Sequence, residues 1–242
     1  MEMPPNVSVF KTPEQLAVAA AERFIEVAAH SQETRGRFSV ALAGGRTPKH
    51  VYELLATELA NRVDWSRVHL FFGDERCVPP DHADSNYAMV HGALLSTVSI
   101  PPGNVYRIAA EGDPAESARE YEAGLRKFFG PMALPRFDLV LLGMGEDGHT
   151  ASLFPESSAL KDNSRLVVQT KSPQGQSRIT LTLVALNNAA RVIFLVTGEE
   201  KAAALLKVLQ RQSGSRRLPA TLIKLIDGSL EWYVDRKAAS GI

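Results

Sequence analysis

Residues 38–55 read FSVALAGGRTPKHVYELL. Phe38 to Leu42 is a short apolar run without polar alternation, the pattern of a strand buried on both faces of a parallel sheet. Gly44-Gly45 then breaks it with a turn. Thr47-Pro48 opens a helix, with proline at the first helical position, where its missing N–H costs nothing. Val51, Leu54, Leu55 and Leu59 give that helix one inward face. The unit is a buried strand, a glycine turn and an amphipathic helix.

The same rhythm recurs along the chain. Val68 to Phe72 runs into Gly73-Asp74-Glu75, Phe137 to Leu142 into Gly143-Met144-Gly145, and Val192 to Val196 into Thr197-Gly198. Upstream, Thr12-Pro13-Glu14-Gln15 has the spacing of a capping box, and Leu16, Ala20, Phe24 and Val27 carry an apolar face to about residue 30. Residues 114–129, 199–210 and 84–95 are further helix candidates. Thr221 to Leu225 and Leu230 to Val234 read as strands closing an edge. The alternation predicts an α/β fold: an open, doubly wound, mainly parallel sheet flanked by helices, Rossmann-like, with residues 1–242 as a single domain. Ligands of such folds bind outside the carboxyl ends of the strands.

Composition narrows the partners. The 242 residues carry 27 Lys+Arg against 27 Asp+Glu, so no basic excess points to nucleic acid. Apolar runs such as Val192 to Val196 are far shorter than the roughly 20 residues of a membrane span. Cys77 is the single cysteine, which excludes an internal disulfide framework and suits a reducing compartment. The opening MEMPPNVSVF has no basic n-region or apolar h-region. The expectation is a cytoplasmic protein with neither nucleic-acid nor membrane partners.

Four glycine-bearing strand ends carry the chemistry. Gly44-Gly45-Arg46-Thr47-Pro48 lets the backbone approach a ligand, and free N–H groups at the following helix start favour an anion. It lacks the Lys-Ser/Thr ending of a nucleotide P-loop. A tight turn alone would also explain the glycines. Gly73-Asp74-Glu75-Arg76 places two acids and an arginine beyond a strand end, either as site groups or as a surface salt-bridge turn. The neighbouring Cys77 reads as a partly buried filler, and Asp81-His82-Ala83-Asp84 as a solvated loop.

Gly143-Met144-Gly145-Glu146-Asp147-Gly148-His149-Thr150 matches G-x-G-x-x-G after a strand. A dinucleotide site also needs an acid after a second buried strand, and Glu156 to Lys161 before Asp162 is no such strand. The other reading holds Asp147 and His149 rigidly between glycines, where a histidine serves as general base with a carboxylate beside it. His30, His50, His69, His82 and His91 lack that setting and read as structural. Finally, Gly198-Glu199-Glu200-Lys201 puts a lysine in a first helical turn, unfavourable to the helix dipole unless it meets an anion. Arg178, in the β-like Ser177 to Thr182, either joins that site or is an edge-strand arginine.

Taken together, these segments resemble the 6-phosphogluconolactonases of the glucosamine-6-phosphate deaminase/6-phosphogluconolactonase family. The matching residues are Ala43 to Pro48, Gly73 to Arg76 with Val78-Pro79, Asp84 to Tyr87, Phe137 to Leu139, Gly143 to Pro155, Ser177 to Thr182 and Gly198 to Ala202. They span residues 43–202 in the family's order. The resemblance implies a fold similar to glucosamine-6-phosphate deaminase and hydrolysis of 6-phosphoglucono-δ-lactone to 6-phosphogluconate in the pentose phosphate pathway. It implies His149 as general base, with Asp147 and Asp74 shaping its surroundings or binding sugar hydroxyls. Arg76 is a candidate either for stabilising the carbonyl oxygen or for contacting the phosphate or a carboxylate, and Gly44, Gly45, Arg46, Thr47, Arg178 and Lys201 are assigned to the phosphate. The partner is a small-molecule sugar phosphate lactone, with no metal and no cofactor.

Two rival readings share the fold. A sugar-phosphate deaminase or isomerase would continue from the histidine to Asn-Glu-Pro, where this chain has Leu153-Phe154-Pro155, and would carry an aromatic residue in place of Arg76. A non-enzymatic sugar-phosphate sensor would carry a DNA-binding segment, whereas the first buried strand begins near residue 38 and leaves room for only one helix.

Overall fold

The four apolar runs become the central strands of a parallel sheet. The computed structural model describes residues 6–210 and 218–242. Along them run β1 (Val7–Phe10), α1 (Pro13–Arg35), β2 (Phe38–Leu42), α2 (Arg46–Ala56), β3 (Val68–Phe72), β4 (Asp74–Arg76), α3 (Asn86–Val90), β5 (Val105–Tyr106), α4 (Pro114–Phe129), β6 (Leu139–Leu142), β7 (Val167–Lys171), β8 (Ser177–Leu181), α5 (Leu183–Asn187), β9 (Arg191–Val196), α6 (Ala202–Leu209) and β10 (Ser229–Asp235).

Seven strands form one sheet in the order β1-β10-β9-β6-β2-β3-β5, with every pairing parallel. β2 and β6 are buried at every position, as interior strands covered on both faces must be. Phe38, Phe71, Phe72, Phe137 and Phe194 sit fully inside, each contributing ~1.5–3 kcal/mol by leaving water. α1 packs across β1, β10 and β2, while α4 packs on β7 and β8. Among the described residues no helix is long and apolar enough to cross a membrane.

The chain lays down β2, then β3 and β5 to one side, returns to place β6 beside β2, and continues through β9 and β10 to the other. The direction reverses between β2 and β6, so a crevice opens where their carboxyl ends part. Buried tyrosines tie down two of these strand ends. The Tyr52 hydroxyl of α2 accepts from Ala43 N (3.1 Å) and donates to Ala43 O (2.9 Å). The Tyr121 hydroxyl of α4 does the same for Phe72, at 2.8 and 2.9 Å. Burial pushes both phenols far up, so each keeps the proton it donates.

Local signals hold with adjustments. Thr12 caps α1 by accepting from Gln15 N at 3.3 Å, but Gln15 Oε1 reaches back to Lys11 N (3.2 Å) rather than to the cap itself. The helix runs on to Arg35, past the expected end near residue 30, until Gly36 stops it in a left-handed conformation at φ 72°. Residues 84–95 form α3 behind a Ser85 cap and then a wider turn over His91–Leu95.

Two expectations are corrected. Thr221 to Leu225 is no strand: the chain takes a single 3-10 turn over Pro219–Leu222, with proline at its first position. Leu230 to Val234 does form β10, but not at an edge, because β1 pairs parallel on its outer side. β1 itself, ahead of the helix, was not expected as a strand, since its central residues are exposed and leave no apolar run. A second sheet also lay outside the reading: β4, β8 and β7 form an antiparallel ribbon in the order β4-β8-β7. Gly73 joins the two, donating to Leu42 O and accepting from Leu181 N, both at 2.9 Å.

Candidate active site

A cleft of about 680 Å³ opens over the carboxyl ends of β2, β6 and β9. The glycine turn after β2, β4, the loop after β6, and the turn after β9 supply its walls. Gly44, Gly45, Arg46, Thr47, Asp74, Arg76, His149, Arg178 and Lys201 all line it. Among the site residues expected from sequence, only Asp147 stands behind the wall, where it contacts His149.

The loop after β6 is built around that contact. Asp147 Oδ1 lies 2.6 Å from His149 Nδ1 and accepts from His149 N at 3.1 Å. Gly145 N donates to His149 O at 2.9 Å, and Thr150 Oγ1 donates to Gly143 O at 2.8 Å, closing the loop on itself. Glycine is required at 145 by space: a Cβ there would lie 2.1 Å from His149 Nδ1 and 2.7 Å from Asp147 Oδ1. No helix follows Gly148; the chain bridges Thr150 to Leu153 instead. The strand–turn–helix of a dinucleotide site is therefore absent from this segment.

Burial works to raise the Asp147 carboxyl, but the His149 N–H, the adjacent imidazole and its ring hydrogen bond together hold it below the ordinary aspartate value. An ionised carboxylate only accepts, so His149 Nδ1 must donate, which makes Nε2 the nitrogen that carries the lone pair in the neutral ring. Phe154 packs on the ring with centroids 4.8 Å apart. The imidazole is fixed on one side and still 34% exposed. Such a group can take a proton from water.

Asp74 does not share this task. Its carboxylate is buried, with Oδ2 accepting from Ser152 Oγ at 2.5 Å and Oδ1 facing Asn86 Nδ2 at 3.4 Å. Glu75 points elsewhere and is a clamp. It accepts from the backbone N–H groups of Arg76 (2.8 Å), Asn86 (2.7 Å) and Tyr87 (2.8 Å) and from Ser85 Oγ (3.1 Å). Burial pushes its carboxyl up against the pull of those N–H groups. Glu75 thus fixes the start of α3 against β4.

Arg76 and Arg178 are direct cross-strand partners on β4 and β8. Like charges in that position are unfavourable to a sheet. The Arg76 guanidinium donates to the Asp84 carbonyl, while among the described residues Arg178 has no hydrogen-bonding or ion-pair partner. Burial, and then the Arg76 charge, lower the Arg178 pKa. Two guanidiniums without a carboxylate partner at a cleft wall are a site for an anion. Lys201, at the turn leading into α6, among the described residues meets only Glu146, at 3.7 Å. Thr47 Oγ1 lies 2.7 Å from Thr197 Oγ1, joining the turns after β2 and β9.

Several residues of the site were not foreseen. Asn86 and Ser152, the two partners of the Asp74 carboxylate, stand in quoted segments but had no role assigned. His50, read as purely structural, lines the cleft from α2, beside Glu53 at 3.6 Å. The other readings stand: Asp81 to Asp84 is exposed, and Cys77 is a half-buried thiol that burial pushes up. Among the described residues no three His, Cys, Asp or Glu side chains gather to hold a metal ion.

Comparison with known proteins finds relatives along most of the chain. Residues 11–232 match the family model described as glucosamine-6-phosphate isomerases/6-phosphogluconolactonase. A 6-phosphogluconolactonase of Nostoc sp. is 42% identical over 209 residues, covering 85% of each chain. That of Rattus norvegicus is 39% identical over 245 residues, covering 98% of this chain and 93% of its own. The solved structure of 6-phosphogluconolactonase from Trypanosoma cruzi superposes with a TM-score of 0.86 at 33% identity, over 100% of this chain and 98% of that one.

Proposed function

The chain belongs to the glucosamine-6-phosphate isomerase/6-phosphogluconolactonase family, and on that premise we propose that it hydrolyses 6-phosphoglucono-δ-lactone to 6-phosphogluconate in the pentose phosphate pathway. The observation that carries the reading is the gathering of two sets of groups in one cleft. His149, with Asp147 2.6 Å from its ring nitrogen, lines the same cleft as the cations Arg76, Arg178 and Lys201.

In this mechanism the phosphate lies against Gly44, Gly45 and Thr47, where α2 begins, with Arg46, Arg178 and Lys201 supplying positive charge. Holding the substrate by a group remote from the bond broken turns binding energy into positioning. His149 Nε2 takes a proton from water as the water oxygen attacks the lactone carbonyl carbon. The carbonyl oxygen becomes an oxyanion, which Arg76 stabilises. When the tetrahedral intermediate collapses, the ester C–O bond breaks and the ring oxygen leaves with the proton from His149. Asp147 keeps the imidazole oriented throughout. Asp74, held by Ser152 and Asn86, is placed to accept from a sugar hydroxyl.

The deaminase reading loses support from Leu153 and Phe154, both buried, in the stretch where those enzymes carry Asn-Glu-Pro. A buried phenylalanine packed on the histidine offers no carboxylate for amine chemistry. The free, single Cys77 supports a cytoplasmic setting as part of the same proposal. The test is a coupled assay. Fresh 6-phosphogluconolactone is supplied and the 6-phosphogluconate formed is oxidised enzymatically, beside a parallel assay for ammonia from glucosamine 6-phosphate. Lactone turnover well above spontaneous opening, without ammonia release, is expected; the reverse result overturns the proposal.

A further inference from the structure

Gly44 is a glycine for a reason its backbone does not supply. Its φ lies outside the left-handed region, so the conformation itself is open to other residues. What excludes a side chain is Asn86: a Cβ on Gly44 would lie 1.9 Å from Asn86 Oδ1 and 2.6 Å from its Cγ. The carboxamide therefore lies directly on the turn after β2.

Asn86 is anchored from two further directions. Its Nδ2 donates to Asp74 O at 2.9 Å and faces Asp74 Oδ1 at 3.4 Å. Its own N–H donates to Glu75 Oε1 at 2.7 Å. Asn86 is 2% exposed, and its Oδ1 is a buried acceptor without a hydrogen-bond partner among the described residues. Buried acceptors are normally satisfied, so this orphan marks a position held for its geometry. Gly44, Asp74 and Asn86 all line the cleft.

We propose that Asn86 is a positioning residue that sets the spacing between the glycine turn at the phosphate end of the cleft and the Asp74–Arg76 strand at its reacting end. This rests on the function proposed above, in which one substrate must engage both ends. A rigid spacer matters most for such a substrate. A lactone without the phosphate settles at the reacting end alone and depends on it less.

Three variants of the full chain, Asn86→Ala, Gly44→Ala and the double substitution, test the idea on two substrates, 6-phosphogluconolactone and glucono-δ-lactone. Asn86→Ala is expected to lower kcat/KM for the phosphorylated lactone by about 10- to 100-fold, the scale of a misplacement near 1 Å, while the unphosphorylated lactone, for which only the Asn86 contact to Asp74 is lost and Ser152 still holds that carboxylate, falls by a clearly smaller factor. Gly44→Ala is expected to show the same selective loss, because its methyl displaces the carboxamide. The double variant should fall no further than Asn86→Ala, since truncating Asn86 removes the clash. Equal losses on both lactones, no loss, or additive losses in the double variant would overturn the proposal. If Asn86→Ala does not fold, Asn86→Ser, which keeps a polar group at the start of α3, is read by the same criteria. A wild-type chain inactive on the phosphorylated lactone refutes the function; an active one with equal losses refutes only the spacer.

Discussion

Asp147 Oδ1 lies 2.6 Å from His149 Nδ1 within a loop so tight that position 145 has no room for a β-carbon. The acid is therefore an orienting group with one partner. Asp147→Asn leaves a side chain of the same shape that no longer obliges Nδ1 to donate. kcat is expected to fall about 10- to 100-fold from lost alignment, with KM nearly unchanged. The pH dependence has a definite sign. The folded carboxyl is depressed below its unfolded value, so the loop stabilisation is complete above the ordinary aspartate range near ~3.9 and disappears as pH falls through the lower folded value. Thermal melts of wild type and Asp147→Asn should therefore differ by a constant amount above about pH 5 and converge in stronger acid.

Lys201 and Arg178 are expected to act on binding. Losing a charge-assisted contact worth ~1.5–3 kcal/mol corresponds to a rise of about 10- to 100-fold in KM for the phosphorylated lactone. Steady-state kinetics on Lys201→Ala and Arg178→Ala should show that rise with little change in kcat. The larger effect belongs to Arg178, which has no hydrogen-bonding or ion-pair partner among the described residues, whereas Lys201 already shares its charge with Glu146 at 3.7 Å. Unchanged affinity for 6-phosphogluconate in either variant removes that residue from the phosphate site.

Arg76 should behave oppositely. If it meets the oxyanion, its contact strengthens only in the transition state, and Arg76→Ala lowers kcat by roughly 10²–10³. KM should move little. A KM effect alone would place Arg76 on the phosphate or the product carboxylate.

Asp138 provides a contrast far from the cleft. At the amino end of β6 it accepts from Ser39 N at 2.7 Å, Ser39 Oγ at 2.8 Å and Arg35 at 2.5 Å. Asp138→Ala leaves a buried backbone N–H unpaired, at a cost of about 1–3 kcal/mol. The urea midpoint should fall while kcat/KM of the folded fraction stays at the wild-type value. Lost activity at unchanged stability would contradict the separation of frame and site.

The frame was legible wherever a strand is covered on both faces. Phe38 to Leu42 and Val68 to Phe72 were read to the residue, because buried interior strands need runs that are apolar at nearly every position, interrupted here only by Ser39 and His69. β1 and β5 escaped because edge strands mix exposed and half-buried positions and leave no such run. The loop after β6 was legible because its essential contact is local, two residues apart. Asn86 and Ser152 were not, since they meet Asp74 across 12 and 78 residues, and only the assembled sheets bring them together. Arg76 and Arg178 were each visible as a charge. Their juxtaposition depended on the β4–β8 ribbon, which three-residue β4 was too short to announce.

The most direct test is the initial rate of 6-phosphogluconolactone opening by wild type and His149→Ala, each corrected for spontaneous hydrolysis. Removing a general base is expected to lower kcat by about 10²–10⁴ while binding of 6-phosphogluconate persists. His149→Ala turning over the lactone at a rate near that of wild type would contradict the account.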